Sequence, residues 1–92
     1  MISLKHQIRV KPSVVFTELD NGEGILVNFE TKYYYGLNEM AAKIWQLVDK
    51  KNNITDIVDK IVNEYDVDKE KALKSVNKQI EMLIKEKMIE FN

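Results

Sequence analysis

The hydrophobic period of this chain switches once, at Gly36-Leu37-Asn38, and the switch divides a strand-forming segment from a helix-forming one. Upstream, "KYYYG" sets Tyr33, Tyr34 and Tyr35 in succession, a run of large rings that suits a pleated, half-buried strand. Gly36 is expected to end that strand. Downstream, Asn38 reads as a helix N-cap whose side-chain oxygen accepts a first-turn N–H, and Glu39 lies well against the positive end of the dipole. Ala41, Ile44, Trp45 and Val48 then fall on one helical stripe.

Two further strands are expected before the tyrosines, "VVFTEL" (Val14 to Leu19) and "ILVNF" (Ile25 to Phe29). "DNGEG" between them offers Asn-Gly and a second glycine for the positive-φ positions of a hairpin, and "ETK" forms the next turn. In the second strand Ile25, Val27 and Phe29 share one face, Leu26 and Asn28 the other. Short connections predict an antiparallel meander whose third strand is an edge. A polar lead-in, residues 1–12, precedes it.

Past the switch and the loop "DKKNN", Ile54, Ile57, Val58, Ile61, Val62 and Tyr65 define a second helix capped by Asn53 or Thr55. Asp66 or Asp68 caps a longer third helix with the stripe Leu73, Val76, Ile80, Leu83 and Ile84. Met88, Ile89 and Phe91 are placed to cover one end of the core. The expected fold class is α+β, a three-stranded antiparallel sheet followed by three helices, as one domain over residues 1–92.

Several function classes are disfavoured by what the residues lack. The 92 residues include no cysteine, which excludes disulfides, thiolate ligands and cysteine nucleophiles. His6, the sole histidine, has no second histidine with which to share a metal or a proton. There is no Gly-x-Ser-x-Gly and no phosphate-cradling glycine loop, so neither an enzyme nor a resident cofactor or metal is expected. The carboxylates Glu39, Asp56, Asp59, Glu70 and Glu81 read as solvated helix charges. No apolar run is long enough to span a bilayer, and "MISLKHQIRVKP" lacks a signal peptide's apolar middle, so a cytoplasmic protein without membrane contact is expected.

Three helices beside a small sheet also suggest a winged helix-turn-helix, which makes DNA binding an alternative. A reading helix needs a basic face with groups that reach base edges. The third helix alternates Lys69, Lys71, Lys74, Lys78, Lys85 and Lys87 with Asp68, Glu70, Glu81 and Glu86, and the only arginine is Arg9. Net charge is −1. A chain so nearly neutral attracts phosphates weakly, and no nucleic-acid partner is expected. The tyrosines point elsewhere. Alternate strand residues face opposite sides, so if Leu37 packs inward then Tyr33 and Tyr35 share its face and Tyr34 lies opposite. At least one ring then borders the surface, where exposed aromatics mark binding sites.

The stretch "ELDNGEGILVNFETKYYYGLNEMAAKIWQLVD", followed by "ITDIVDKIVNEYDVD" and a long final helix, resembles the family of pyrroloquinoline quinone biosynthesis protein D (PqqD). The likeness runs from about Val14 to Ile89. Its most specific parts are the Tyr-Tyr-Gly-Leu-Asn-Glu run, Ile44-Trp45 one turn later, and Tyr65-Asp66-Val67-Asp68. The family is the type example of the recognition element for ribosomally made, post-translationally modified peptides (RiPPs). The resemblance implies a winged-helix-like fold that binds the leader segment of a precursor peptide and presents it to a modifying enzyme or leader peptidase. It implies that the leader adds as a strand to the third strand, Lys32, Tyr33, Tyr34 and Tyr35, beside the third helix, with Gly36 ending the pairing.

On that helix Ala72, Val76, Gln79 and Leu83 form one flank, and Leu73, Asn77, Ile80 and Ile84 the other. The sequence leaves open which flank borders the groove. Ala72, Val76, Gln79, Ile80 and Leu83 are the candidate peptide contacts, and for Val76, Ile80 and Leu83 core packing is weighed above peptide contact. Where many relatives have glycine after the third helix this chain has Lys87, which adopts a left-handed cap less cheaply. A structural subunit of a larger synthase is the remaining alternative reading.

Overall fold

The computed structural model describes residues 8–50 and 53–91; His6, and Lys51 and Asn52 of the polar loop, lie outside the described residues. The elements are β1 (Ile8–Val10), β2 (Val14–Glu18), β3 (Gly24–Asn28), β4 (Tyr33–Leu37), α1 (Glu39–Lys50), α2 (Ile54–Tyr65), α3 (Lys69–Lys85) and β5 (Ile89–Phe91). Strands β2, β3 and β4 form an antiparallel sheet in that order, followed by three helices, as the α+β reading expects. No described helix is long and apolar enough to cross a membrane.

Two features depart from the sequence reading. Ile8–Val10, placed in the lead-in, pairs antiparallel with Ile89–Phe91 as a second, two-stranded sheet, and Arg9 is joined to Glu90 across it. Three-residue strands so far apart carry no periodicity of their own. The pairing buries Ile8 and Ile89, and that burial holds both ends against the core. The second departure is Gly36. It does not end β4: it pairs with Ile25, and Leu37 pairs with Gly24 one residue further on. Its φ is not positive, and a Cβ built there would meet nothing within 4 Å.

The inner face of the sheet is set by the less apolar side of β3. Leu26, fully buried, is flanked by Phe16 on β2 and Tyr35 on β4, while Phe29 is 58% exposed. Gly24, read as a turn glycine, begins β3, and its missing side chain makes room for the Phe16 ring. Gly22 takes the positive φ of the turn, at 86°. Three caps anticipated from sequence are made: Asn38 Oδ1 accepts from Ala41 N at 2.8 Å, Asn53 Oδ1 from Asp56 N at 2.9 Å, and Asp68 Oδ1 from Glu70 N at 3.1 Å. Asp66 instead closes α2 in the left-handed region.

Ile44, Trp45, Leu47 and Val48 of α1 pack with Ile54, Ile57, Val58 and Ile61 of α2 and with Val76, Ile80 and Leu83 of α3 in one core. The stripes sit one residue away from the sequence reading in places. Ala42 rather than Ala41 is buried in α1, and in α3 Ala72 is buried while Leu73 and Ile84 are half-buried. Helix α3 ends in a Schellman motif: Lys87 N donates to Ile84 O at 3.0 Å and Met88 N to Leu83 O at 2.8 Å, with buried Met88 against buried Leu83. Lys87 carries the left-handed φ of 62° that a glycine would adopt freely.

Lys87→Gly therefore removes backbone strain of about 1–2 kcal/mol. It adds unfolded-state entropy worth about 0.4–1 kcal/mol and gives up a cation near the helix end. A net gain of about 0.5 kcal/mol is expected, read as a higher denaturant midpoint with unchanged slope.

Candidate functional site

The open side of β4 follows from the hydrogen-bond alternation of an antiparallel sheet. Phe29 N donates to Ser13 O at 2.9 Å and Leu19 N to Glu23 O at 2.8 Å. With the observed register, Val15–Val27 and Thr17–Ile25 are pairs of the same bonded type, so Leu26 and Asn28 direct their backbone groups toward β4. Their partners Tyr35 and Tyr33 therefore bond inward to β3, as does Leu37. Tyr34 and Gly36 direct N–H and C=O outward. Among the described residues no strand pairs with that edge, since β5 is taken up by β1.

The three tyrosines divide as the alternation requires. Tyr34 lies on the outer face and is 73% exposed, beside Val27 and Val15 in the same cross-strand row. Tyr33 and Tyr35 share the face of buried Leu37; Tyr35 is half-buried and Tyr33, nearer the turn, is 61% exposed. Lys32 enters the strand with φ 69° and is exposed. A hydrogen bond to the Glu86 carboxylate raises the Tyr35 phenol above the usual tyrosine value, with desolvation and the Glu86 charge adding to it. The Tyr35 phenol thus stands near Glu86 at the end of α3.

Helix α3 packs chiefly on α2, with smaller contacts to α1 and β5, while β4 packs on β3 and α1. A face of α3 is left free on the side of β4 and the N-terminus of α1. One concavity on it is lined by Glu81, Met82, Ile84, Lys85 and Glu86. A second, sharing Met82, adds Ser75, Lys78 and Gln79 opposite Asn38, Met40 and Ala41. Of the α3 residues singled out from sequence, Ala72, Val76, Ile80 and Leu83 lie in the core, each at most 2% exposed. Ala72 reaches the rim of a third concavity with Met40 and Val67. Gln79 is half-buried and lines the second concavity, its Nε2 enclosed with no hydrogen-bond partner among the described residues.

Ser75 and Met82, on the same free face, were not singled out from sequence. Met82 carried a signal, being an apolar residue one step off the core stripe, where it can be neither fully buried nor simply solvated. The free face as a whole mixes thioether and aliphatic surface with lysine charge. Among the described residues no group of His, Cys, Asp or Glu is arranged to hold a metal ion. What the arrangement offers is a row of unpaired main-chain donors and acceptors beside a shallow, part-apolar groove, which suits an extended peptide.

The family model described as coenzyme PQQ synthesis protein D (PqqD) matches residues 23–89. Comparison with curated proteins gives no match. Among solved structures, TbiB1 in complex with the TbiA(beta) leader peptide superposes with a TM-score of 0.82 at 27% identity, covering 89% of this chain and 94% of that one. A lasso peptide synthetase B1 complexed with its leader peptide gives 0.79 at 23% identity, over 91% of this chain and 98% of that one, a likeness of fold.

The Tyr35–Glu86 contact makes a pH-dependent prediction. Because the folded state holds the phenol proton more tightly, the contact stabilises fully below about pH 10, the unfolded value, and its contribution is lost as pH rises through the folded value. Followed by ring NMR shifts, Tyr35 is expected to titrate above about 10 in the native chain and to move back toward that value in Glu86→Gln. An unchanged midpoint in the variant would mean that Glu86 does not hold it.

Proposed function

We propose, from the premise that this chain belongs to the family of coenzyme PQQ synthesis protein D (PqqD), that it binds the leader segment of a ribosomally made precursor peptide by strand addition to β4. The observation that carries this reading is the outward-facing main chain of Tyr34 and Gly36 on an edge that nothing in the described chain covers. The two similar structures are complexes with leader peptides, which supports the same occupant here.

Energetics divide the labour between backbone and side chains. Four main-chain hydrogen bonds from Tyr34 and Gly36 contribute about 0.5–1.5 kcal/mol each. Association itself costs about 4–15 kcal/mol, so burial of apolar leader side chains must supply the surplus. At about 25 cal/mol per Å2, burying about 200 Å2 of apolar surface contributes about 5 kcal/mol. Alternate residues of an added strand would point toward α3, where Met82, Ile84 and the stem of Lys85 offer such surface. Lys32, Tyr33, Tyr34, Tyr35 and Gln79 are the proposed contacts. Ala72, Val76, Ile80 and Leu83 shape the wall from behind it.

In this reading the chain is not itself a catalyst. It holds the leader so that a separate modifying enzyme or leader peptidase meets the rest of the precursor, and recognition by an edge strand leaves the downstream segment free for that encounter. The winged-helix DNA alternative draws no support from the fold: Arg9, the sole arginine, sits on the β1–β5 sheet engaged with Glu90.

Titration with candidate precursor leaders, the TbiA(beta) leader among them, should shift the amides of Tyr34 and Gly36 most strongly, together with those of α3 from Lys78 to Glu86. Tyr34→Pro and Gly36→Pro each remove an outward donor that β3 does not use, so the fold should persist while leader affinity falls at least about fivefold. Shifts confined to the exposed faces of α2, with β4 unmoved, would overturn the assignment.

A further inference from the structure

Asn28 is the one fully buried polar residue among the described residues, and its side chain is spent on an unusual set of partners. The carboxamide Nδ2 donates to Lys87 O at 2.9 Å. Oδ1 accepts from Ser13 Oγ at 2.9 Å, from Glu30 N at 2.9 Å and, more weakly, from Thr31 N at 3.4 Å. The Asn28 carbonyl accepts from Lys32 N at 2.8 Å. These partners belong to the start of β2, to the turn that delivers the chain into β4, and to the left-handed residue that terminates α3.

The last two of those segments are the two walls of the groove. On one wall Lys32 hands the chain to the open edge; on the other, the Lys87 carbonyl belongs to the motif that closes α3. Backbone packing alone does not set their separation, because β4 packs on β3 and α1 whereas α3 packs mainly on α2. We propose that Asn28 is a positioning residue of the peptide site, bracing the β3–β4 turn against the end of α3 and so fixing the width of the groove before any peptide arrives. This deepens the leader-binding reading and rests on it. A hydrophobic residue of similar size would pack in the same space, yet it would strand the Lys87 carbonyl and the Glu30 amide without their partner in a part-buried site. A preorganised groove spares the peptide the work of ordering it.

Asn28→Asp separates the two roles of the amide. It keeps an acceptor for Ser13, Glu30 and Thr31 and replaces the donor to Lys87 O with an oxygen, so the brace to α3 alone is cut. Ser13→Ala removes one bond without touching either wall, and Ile61→Val weakens the core in α2 at a residue that lines neither of the first two concavities. Leader affinity of Asn28→Asp is expected to fall about tenfold, with Ser13→Ala and Ile61→Val within about twofold of the native chain. Lowering the pH until the introduced carboxyl protonates restores a donor toward Lys87 O, and should recover affinity relative to the native chain at the same pH. Glu30, Lys32, Glu86 and Lys87 are the ionisable residues on the segments it braces, and the native chain corrects for their titration.

A measurement without peptide keeps the two readings separable. The chain has no cysteine, so spin labels at Lys32→Cys and Lys85→Cys report the span between the walls directly. The label-to-label distance distribution should broaden on adding Asn28→Asp and stay narrow on adding Ile61→Val. An unchanged distribution, or affinity equal to that of Ile61→Val, overturns the role of Asn28. Absence of any leader binding by the native chain, with the brace still seen by the labels, overturns the leader reading instead.

Discussion

Among the described residues strand β4 is hydrogen-bonded on one side only, and the rest of the molecule is arranged around that asymmetry. A three-stranded sheet too short to close has two edges, and each edge exposes main-chain groups that must be hydrated or paired. Here α1 packs on β3 and β4, where Leu26 and Leu37 are buried, β1 and β5 satisfy each other, and the outward groups of Tyr34 and Gly36 are left to solvent or to a visiting chain. Exchanging water for a peptide backbone changes the free energy little per bond. An edge of this kind therefore fixes the direction and register of a partner, while the surface beside it decides which partner.

That surface is supplied by α3, and helix geometry explains why it is not the apolar stripe itself. Val76, Ile80 and Leu83 are fully buried because they are the residues through which α3 is held to the other helices. Turning them outward would dismantle the core that positions the wall. The residues next to them around the helix, Ser75, Lys78, Gln79 and Met82, are the ones left facing the start of α1. One helix thus serves as scaffold on one flank and as groove on the next, roughly 100° apart per residue. Asn28 then bridges β3 and the end of α3 where direct packing is sparse.

Much of the architecture was legible because it rests on local chemistry. The period switch near Leu37, the caps at Asn38, Asn53 and Asp68, and the alternation of the tyrosines are short-range, and the structure realises each of them. Gly36 shows where local reasoning overreaches. A glycine after three aromatics reads as a stop, yet pairing with β3 carries the strand through it, since an extended backbone partnered on one side does not require a side chain. The stripe of α3 was likewise readable to within a residue, whereas the flank that would face a partner was not: it depends on where β4 and α1 stand.

By itself, then, the chain's order of residues determined the three strands of the larger sheet and the three helices, where the helices begin, and that one strand would lie at an edge. Tertiary structure alone decided that the Leu26 and Asn28 side of β3 is the buried one, that Ile8–Val10 finds Ile89–Phe91 across nearly the whole chain, and that the Lys87 carbonyl at the end of α3 meets the Asn28 side chain. The reason is range: propensity and capping act over a few residues, while burial, register and the orientation of one wall to another are set only when distant segments compete for the same core.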